Sequence, residues 1–247
     1  MALNITVERP KGISVSEKGR SRKGETITSD KRLFMQMLAF GNCTNTSEVV
    51  AALKAHELPC ALYEDLNDPY GIALVAYSPD PAFFLDTVRG ILRESPFATL
   101  TPKPEYTLFG RTYASGYESD LNEVLLQRPV RYLCNPDWPW VVWYPLRRKG
   151  SFEQLSAEEQ RNILMEHGGI GRAYGKADHA HDIRLACHGL DRDDNDFIVA
   201  LMGKDLGPLS KIVQHMRRTK QTSQFLDRLG PFFIGRAVWQ HALYPEP

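Results

Sequence analysis

The stretch PCALYEDLNDPYGIALVAY, Pro59–Tyr77, decides the fold. It holds two short apolar runs, Pro59 to Glu64 and Gly71 to Tyr77. Between them Leu66-Asn67-Asp68-Pro69 is turn chemistry, so the stretch reads as two consecutive strands. Upstream, Asn45-Thr46-Ser47 offers caps to a helix with Val49, Val50, Leu53 and His56 on one face. Before that helix, Arg32 to Phe40 (RLFMQMLAF) is an apolar strand closed by Gly41-Asn42. Downstream, Ser78-Pro79-Asp80-Pro81 opens a helix running to about Glu94, with Phe84, Leu85, Val88, Ile91 and Leu92 as its stripe. Tyr106 to Tyr113 follows as a strand. The order is β-α-β-β-α-β.

The same order recurs in the second half. Trp140 to Leu146 (WVVWYPL) is a strand, and Ser156-Ala157-Glu158-Glu159 is a capping box for a helix that reaches His167. His181 to His188 and Phe197 to Met202 are strands, Leu206 to Met216 is a helix, and Pro231 to Trp239 closes the unit. Identity between the halves is poor, so the repeat is one of pattern. The expected fold class is α+β, with two ferredoxin-like repeats forming a dimeric α/β barrel-type protomer. The expected organisation is a flexible arm over 1–30, an N-terminal half over 31–115, a connector over 116–134 and a C-terminal half over 135–247. The arm carries charge, Gly and Ser but few large apolar groups, too little to offset the entropy of ordering.

The 247 residues, 43% apolar, suffice for a core of one large domain or two small ones. Thirty basic and thirty acidic residues give a formal charge of zero, so no net field favours nucleic acid or an anionic membrane. No run approaches the ~18 apolar residues of a membrane span, and the N-terminus lacks a signal-type apolar core. Cys43, Cys60, Cys134 and Cys187 are scattered and read as free thiols. A cytoplasmic protein is expected.

Four constellations carry possible chemistry. In Glu166-His167-Gly168-Gly169-Ile170-Gly171-Arg172, glycines beside a histidine let another group approach the imidazole closely, as an axial haem ligand requires. The same pattern also reads as a helix C-cap. Asp178-His179-Ala180-His181-Asp182 has an alternation that suits zinc, and equally a solvated turn entering a strand. Alternation along Trp138 to Leu146 sets Trp140, Val142 and Tyr144 opposite Val141 and Trp143. That arrangement is either plain core or an aromatic-walled pocket holding a phenol, with Arg147, Arg148 and Lys149 at its mouth. Finally, Arg217 and Ser223 either serve a helix end or hold a carboxylate.

Taken in order, Tyr144-Pro145-Leu146, the Glu166–Arg172 run, Gly189-Leu190-Asp191 and Met216-Arg217 through Gly230-Pro231-Phe232-Phe233 to Gly235 resemble the chlorite dismutase superfamily. The coproheme decarboxylase branch is the nearest match, over about residues 135–240. The resemblance implies a homo-oligomer, often a pentamer, binding haem b or coproheme, with His167 as the iron ligand. It implies that Tyr144 is the phenol that becomes a radical in peroxide-dependent decarboxylation of propionates. Leu146 stands where the branch usually has Met. Arg131 and Ser223 match propionate holders, with Arg147, Arg148 and Lys149 as further candidates and Trp143 as a cofactor neighbour. The distal position falls to Arg184, or to His181 or Asp182 in another register. The family often sets a carboxylate behind the iron-binding histidine; here Thr219-Lys220-Gln221-Thr222 offers Gln221. The alternatives implied are a chlorite dismutase steering its anion with Arg184, or a haem-binding member without catalysis.

Overall fold

The computed structural model describes residues 12–246. A hairpin of β1 (Glu17–Arg20) and β2 (Thr26–Ser29) comes first. The N-terminal repeat is β3 (Phe34–Gly41), α1 (Thr46–Ala55), β4 (Cys60–Asp65), β5 (Ile72–Ser78), α2 (Arg89–Leu92, entered through a π-turn at Phe84–Val88) and β6 (Thr101–Thr112). Next comes α3 (Arg128–Leu133), entered through a second π-turn at Glu123–Gln127. The C-terminal repeat is β7 (Trp140–Arg148), α4 (Ala157–Lys176), β8 (His181–Ala186), β9 (Phe197–Gly203), α5 (Leu206–Met216), α6 (Lys220–Phe225), β10 (Leu226–Leu229) and β11 (Phe233–His241).

The strands lie in the order β6-β3-β5-β4 in one repeat and β11-β7-β9-β8 in the other, all antiparallel. These are two copies of one ferredoxin-like sheet. Pairings β4–β11 and β6–β8 join them edge to edge, so the sheet closes into a barrel and the ring has no free edge. Alternation then sends every second side chain inward. Met35, Met37, Tyr63, Tyr77, Trp143, Ile183, Leu185 and Phe233 fill the interior. The other faces meet helices. On the N-terminal side, Val49, Leu53, Val88 and Ile91 press onto Leu62 and Leu74, each such side chain contributing roughly 1.5–3 kcal/mol. On the C-terminal side, Val142, Tyr144, Leu146 and Leu201 face Leu209 and Ile212. Among the described residues no helix is long and apolar enough to cross a membrane.

Four expectations are corrected. The flexible arm is a hairpin over residues 17–29; residues 1–11 lie outside the described ones. Glu17 pairs with Arg111 at 2.6 Å and accepts the Ala114 N–H, while Arg20 N–H donates to the Glu118 carbonyl. Polar contacts, together with Ile27 packed against the barrel core, thus order the segment. Second, the connector over 116–134 contains α3 and buries Leu121, Leu125, Leu126 and Val130. Third, the short helix α6 follows α5, with Thr219 as its N-cap. Fourth, α4 does not end at His167 but runs to Lys176. The Ser156–Glu159 capping box starts it, and Gly168, Gly169, Gly171 and Gly175 all keep helical backbone. Each glycine costs about 1 kcal/mol relative to alanine there. The backbone turns left-handed only at Asp178 (φ 54°).

Candidate functional site

The twenty-residue α4 lies over the C-terminal sheet but buries only Ile163. Where a close-packed helix would present Leu or Val to the sheet, α4 presents Gly168, Gly171 and Gly175. A cavity of about 320 Å³ is left between α4, α5 and α6 above and β7, β8 and β9 below. Its middle is apolar, with Leu146, Val199, Leu201, Ile212 and Leu229. Its edge carries Arg128, Arg172, Arg184 and Arg217 against the single carboxylate of Asp182. In a chain with no net charge, that is a local excess of cations suited to a flat, acid-bearing ligand.

His167 lies on the α4 wall. Its Nδ1 is 3.0 Å from Thr219 Oγ1, and Nε2 has no partner among the described residues. Burial lowers its pKa to about 4, with Arg148 and Arg184 adding to the effect, so the ring is neutral at neutral pH. The neighbouring Glu166 accepts the Lys220 N–H at 3.0 Å. Two successive α4 residues thus grip the start of α6. The partner of His167, expected at Gln221, is therefore Thr219, because the N-cap position turns that hydroxyl back toward α4. Gln221 instead lines the cavity, buried, with Oε1 unpartnered.

Tyr144 faces His167's cavity from β7. Its ring stacks on Phe232 at 4.7 Å, and its hydroxyl has no hydrogen-bond partner among the described residues. Burial, with Asp182 adding to it, raises the phenol's pKa well above the ordinary range, so it stays protonated. Leu146 lies two residues on, in the same wall. Arg148, on the same strand face, is sandwiched between Phe152 and Phe197 at 4.6 Å from each ring. Its Nε is buried and unpartnered. Arg184 also reaches the cavity, but its Nε is 3.0 Å from Asp182. His181 lines the cavity too, stacked on Trp138 at 3.6 Å with Nε2 held by Asp178 at 2.8 Å. That engagement leaves the zinc alternative without a ligand set, and among the described residues no group of three metal-binding side chains forms.

Other expected site residues are not brought together. Trp143 is 1% exposed and points into the barrel, because alternation sends it opposite to Tyr144. Arg131 pairs with Glu123 on the outer side of α3; Arg128, one turn earlier, takes the place at the cavity. Ser223 donates its hydroxyl to the Thr219 carbonyl at 2.9 Å and borders a side groove. Arg147 pairs with Asp194 at 2.8 Å, and Lys149 is exposed. Arg128 and Tyr132 were missed because they sit in the stretch read as connector. Thr219 was findable, since it begins a Thr-x-x-Thr turn after a helix.

The family model described as chlorite dismutase matches residues 68–238. The chain belongs to the chlorite dismutase family. Over 113 residues it is 29% identical to the coproheme decarboxylase of Staphylococcus carnosus, covering 44% of this chain and 43% of that protein. Over 168 residues it is 27% identical to a Haloarcula marismortui protein named "Putative heme-binding protein", covering 62% of this chain and 24% of that protein. The chain thus spans less than half the length of these curated relatives. The chlorite dismutase of Candidatus Nitrospira defluvii, solved with imidazole, matches with a TM-score of 0.66 at 13% identity, over 85% of this chain and 92% of that one. At that identity the shared property is the fold of two ferredoxin-like repeats.

Proposed function

We propose that the cavity binds an iron tetrapyrrole through His167 and that the chain carries out peroxide-dependent oxidative decarboxylation of coproheme propionates. The observation that carries this reading is the free Tyr144 phenol in the wall of the same cavity as His167. The residues fit such a group. The neutral imidazole has its cavity-side nitrogen unpartnered, the walls are apolar, and the glycines of α4 leave room for a flat ring beside His167. Gln221 Oε1 is a buried polar atom of the cavity lining without a protein partner. The family resemblance and the printed names of the two curated relatives support a haem compound as the ligand.

The iron tetrapyrrole supplies the oxidising power drawn from peroxide. His167 would hold it; Arg128, Arg172 and Arg217, which line the cavity, are the cations that would orient its acidic side chains. Tyr144 moves a hydrogen atom. Its protonated phenol gives up a proton and an electron, and the resulting radical takes a hydrogen from the propionate β-carbon. Each propionate and one peroxide then yield a vinyl group, carbon dioxide and two waters. The stacked Phe232 ring fixes the phenol. On the same reading the chain works in the cytoplasm as a homo-oligomer, a pentamer in the setting the resemblance implies.

Arg184 is the residue that the chlorite alternative needs. Asp182, however, pairs with its guanidinium and offsets the charge that would steer an anion. Mass spectrometry of the pigment after incubation with coproheme and peroxide tests the proposal. Stepwise loss of carboxyl groups is expected, and Tyr144→Phe keeps binding while abolishing that loss. Unchanged turnover in Tyr144→Phe, or dioxygen release from chlorite at high turnover, contradicts it.

A further inference from the structure

Thr219 is 1% exposed and surrounded by groups that compete for one hydroxyl proton. Its Oγ1 lies 2.7 Å from the Met216 carbonyl and 3.0 Å from His167 Nδ1. Those two lengths match an O–H···O bond and an N–H···O bond respectively. The hydroxyl therefore donates to the Met216 carbonyl and is left only lone pairs for the imidazole. An acceptor facing Nδ1 requires Nδ1 to carry the ring proton, which leaves Nε2 bare. The remaining neighbour, Thr222, contributes an N–H at 3.5 Å and a hydroxyl at 3.4 Å, both longer and neither able to reverse the assignment. Thr219 itself is fixed by the chain. As N-cap of α6 it is held from behind by the Ser223 N–H and hydroxyl, each 2.9 Å from its carbonyl. The adjoining Lys220 N–H is held by Glu166.

We infer that Thr219 is the positioning residue that locks His167 in the Nδ1–H tautomer and sets its ring plane, so that the bare Nε2 is presented to the cavity. A hydroxyl in this place does a different job from a carboxylate. A carboxylate draws the Nδ1 proton toward itself and makes the imidazole a stronger donor, whereas a threonine that is already donating elsewhere accepts the bond and leaves the ring neutral. A neutral ligand suits a tetrapyrrole that is a substrate and has to leave after reaction. Only this last consequence rests on the decarboxylase reading; the tautomer lock does not.

The test begins on the protein without tetrapyrrole. Long-range 15N–1H correlation of histidine-labelled protein reads the protonated nitrogen of each ring, with His167 assigned by its disappearance in His167→Gln. Wild type and Thr219→Ser are expected to show Nδ1 protonated and Nε2 bare, and Thr219→Val to gain an Nε2–H population. Ferric haem titration is then expected to weaken about 10–100-fold in Thr219→Val and to return toward wild type in Thr219→Ser. A wild-type ring protonated at Nε2 overturns the inference, as does a Thr219→Val protein with unchanged tautomer and affinity. If Thr219→Val fails to fold, the wild-type and Thr219→Ser spectra still decide it. A locked tautomer whose resonances ignore added haem upholds the lock and rejects the ligand role of His167, so the two readings fail separately.

Discussion

The two repeats share strand order and helix placement, yet their outer layers differ. In the N-terminal repeat, Val49 and Leu53 of α1 are buried against β4 and β5, and Phe84, Val88 and Ile91 complete a continuous apolar seal. In the C-terminal repeat α4 is twice as long as α1, twenty residues against ten, and buries one side chain. Glycines occupy the face where the first repeat has large apolar groups. The same fold thus makes a wall from one sheet and a chamber from the other. The second helix layer gives up apolar packing and helix propensity, and the space gained holds the imidazole, the phenol and the guanidinium groups. The sealed outer layer and the candidate site thus fall in different repeats.

The division is breakable by mutation. Leu53→Ala removes a fully buried side chain from the sealed repeat. Chemical denaturation is expected to show a loss of about 2–5 kcal/mol, with haem affinity unchanged wherever the protein remains folded; a matching fall in affinity dissolves the division. Acid provides the next effect. Folding lowers the His167 pKa from 6.5 to about 4. The unfolded chain therefore binds the proton first, and stability falls as pH drops from 6.5 toward 4. This one group accounts for a loss on the order of 3 kcal/mol, complete below that window and absent above it. Comparing wild type with His167→Gln across the window isolates it, since the variant lacks that component. The smallest effect is in the chamber itself. A Cβ on Gly171 meets only Met216 Cε, at 3.7 Å. Gly171→Leu therefore fits the helix but fills the cavity, and is expected to weaken haem binding about 10–100-fold by overlap without lowering stability. Unchanged binding would mean that the ring lies elsewhere.

Much of this was legible in the residues. Period-two runs such as Gly71 to Tyr77 and capped stripes such as Asn45 to Leu53 identify themselves, because strand and helix periods differ and the caps mark ends. His167 and Tyr144, which the structure brings to one cavity, stood out as candidates by type and neighbours. The rest failed for local reasons. Glycines after His167 look like a helix stop unless one knows that α6 grips the middle of α4 at Glu166 and His167 and that His215 of α5 holds Tyr174 near its far end. Pro129 interrupts the apolar spacing of Leu121, Leu125 and Val130, which hid α3. Without that helix no phase could distinguish Arg131, which faces Glu123, from Arg128, which faces the cavity. Trp143 was misplaced despite a visible alternation, since its neighbour Tyr144 drew it into the site. The polar Lys220 to Phe225 segment has no apolar period, so only the Thr-x-x-Thr spacing marked α6, and that Thr219 lies against His167 came from the structure.

The central claim is that His167 Nε2 ligates the iron of a tetrapyrrole in the C-terminal chamber. Visible absorption of His167→Ala titrated with ferric coproheme, before and after adding imidazole, tests it most directly. The account predicts loss of the imidazole-ligated spectrum and its recovery when free imidazole fills the space left. A variant whose spectrum and occupancy equal those of wild type without added imidazole contradicts it.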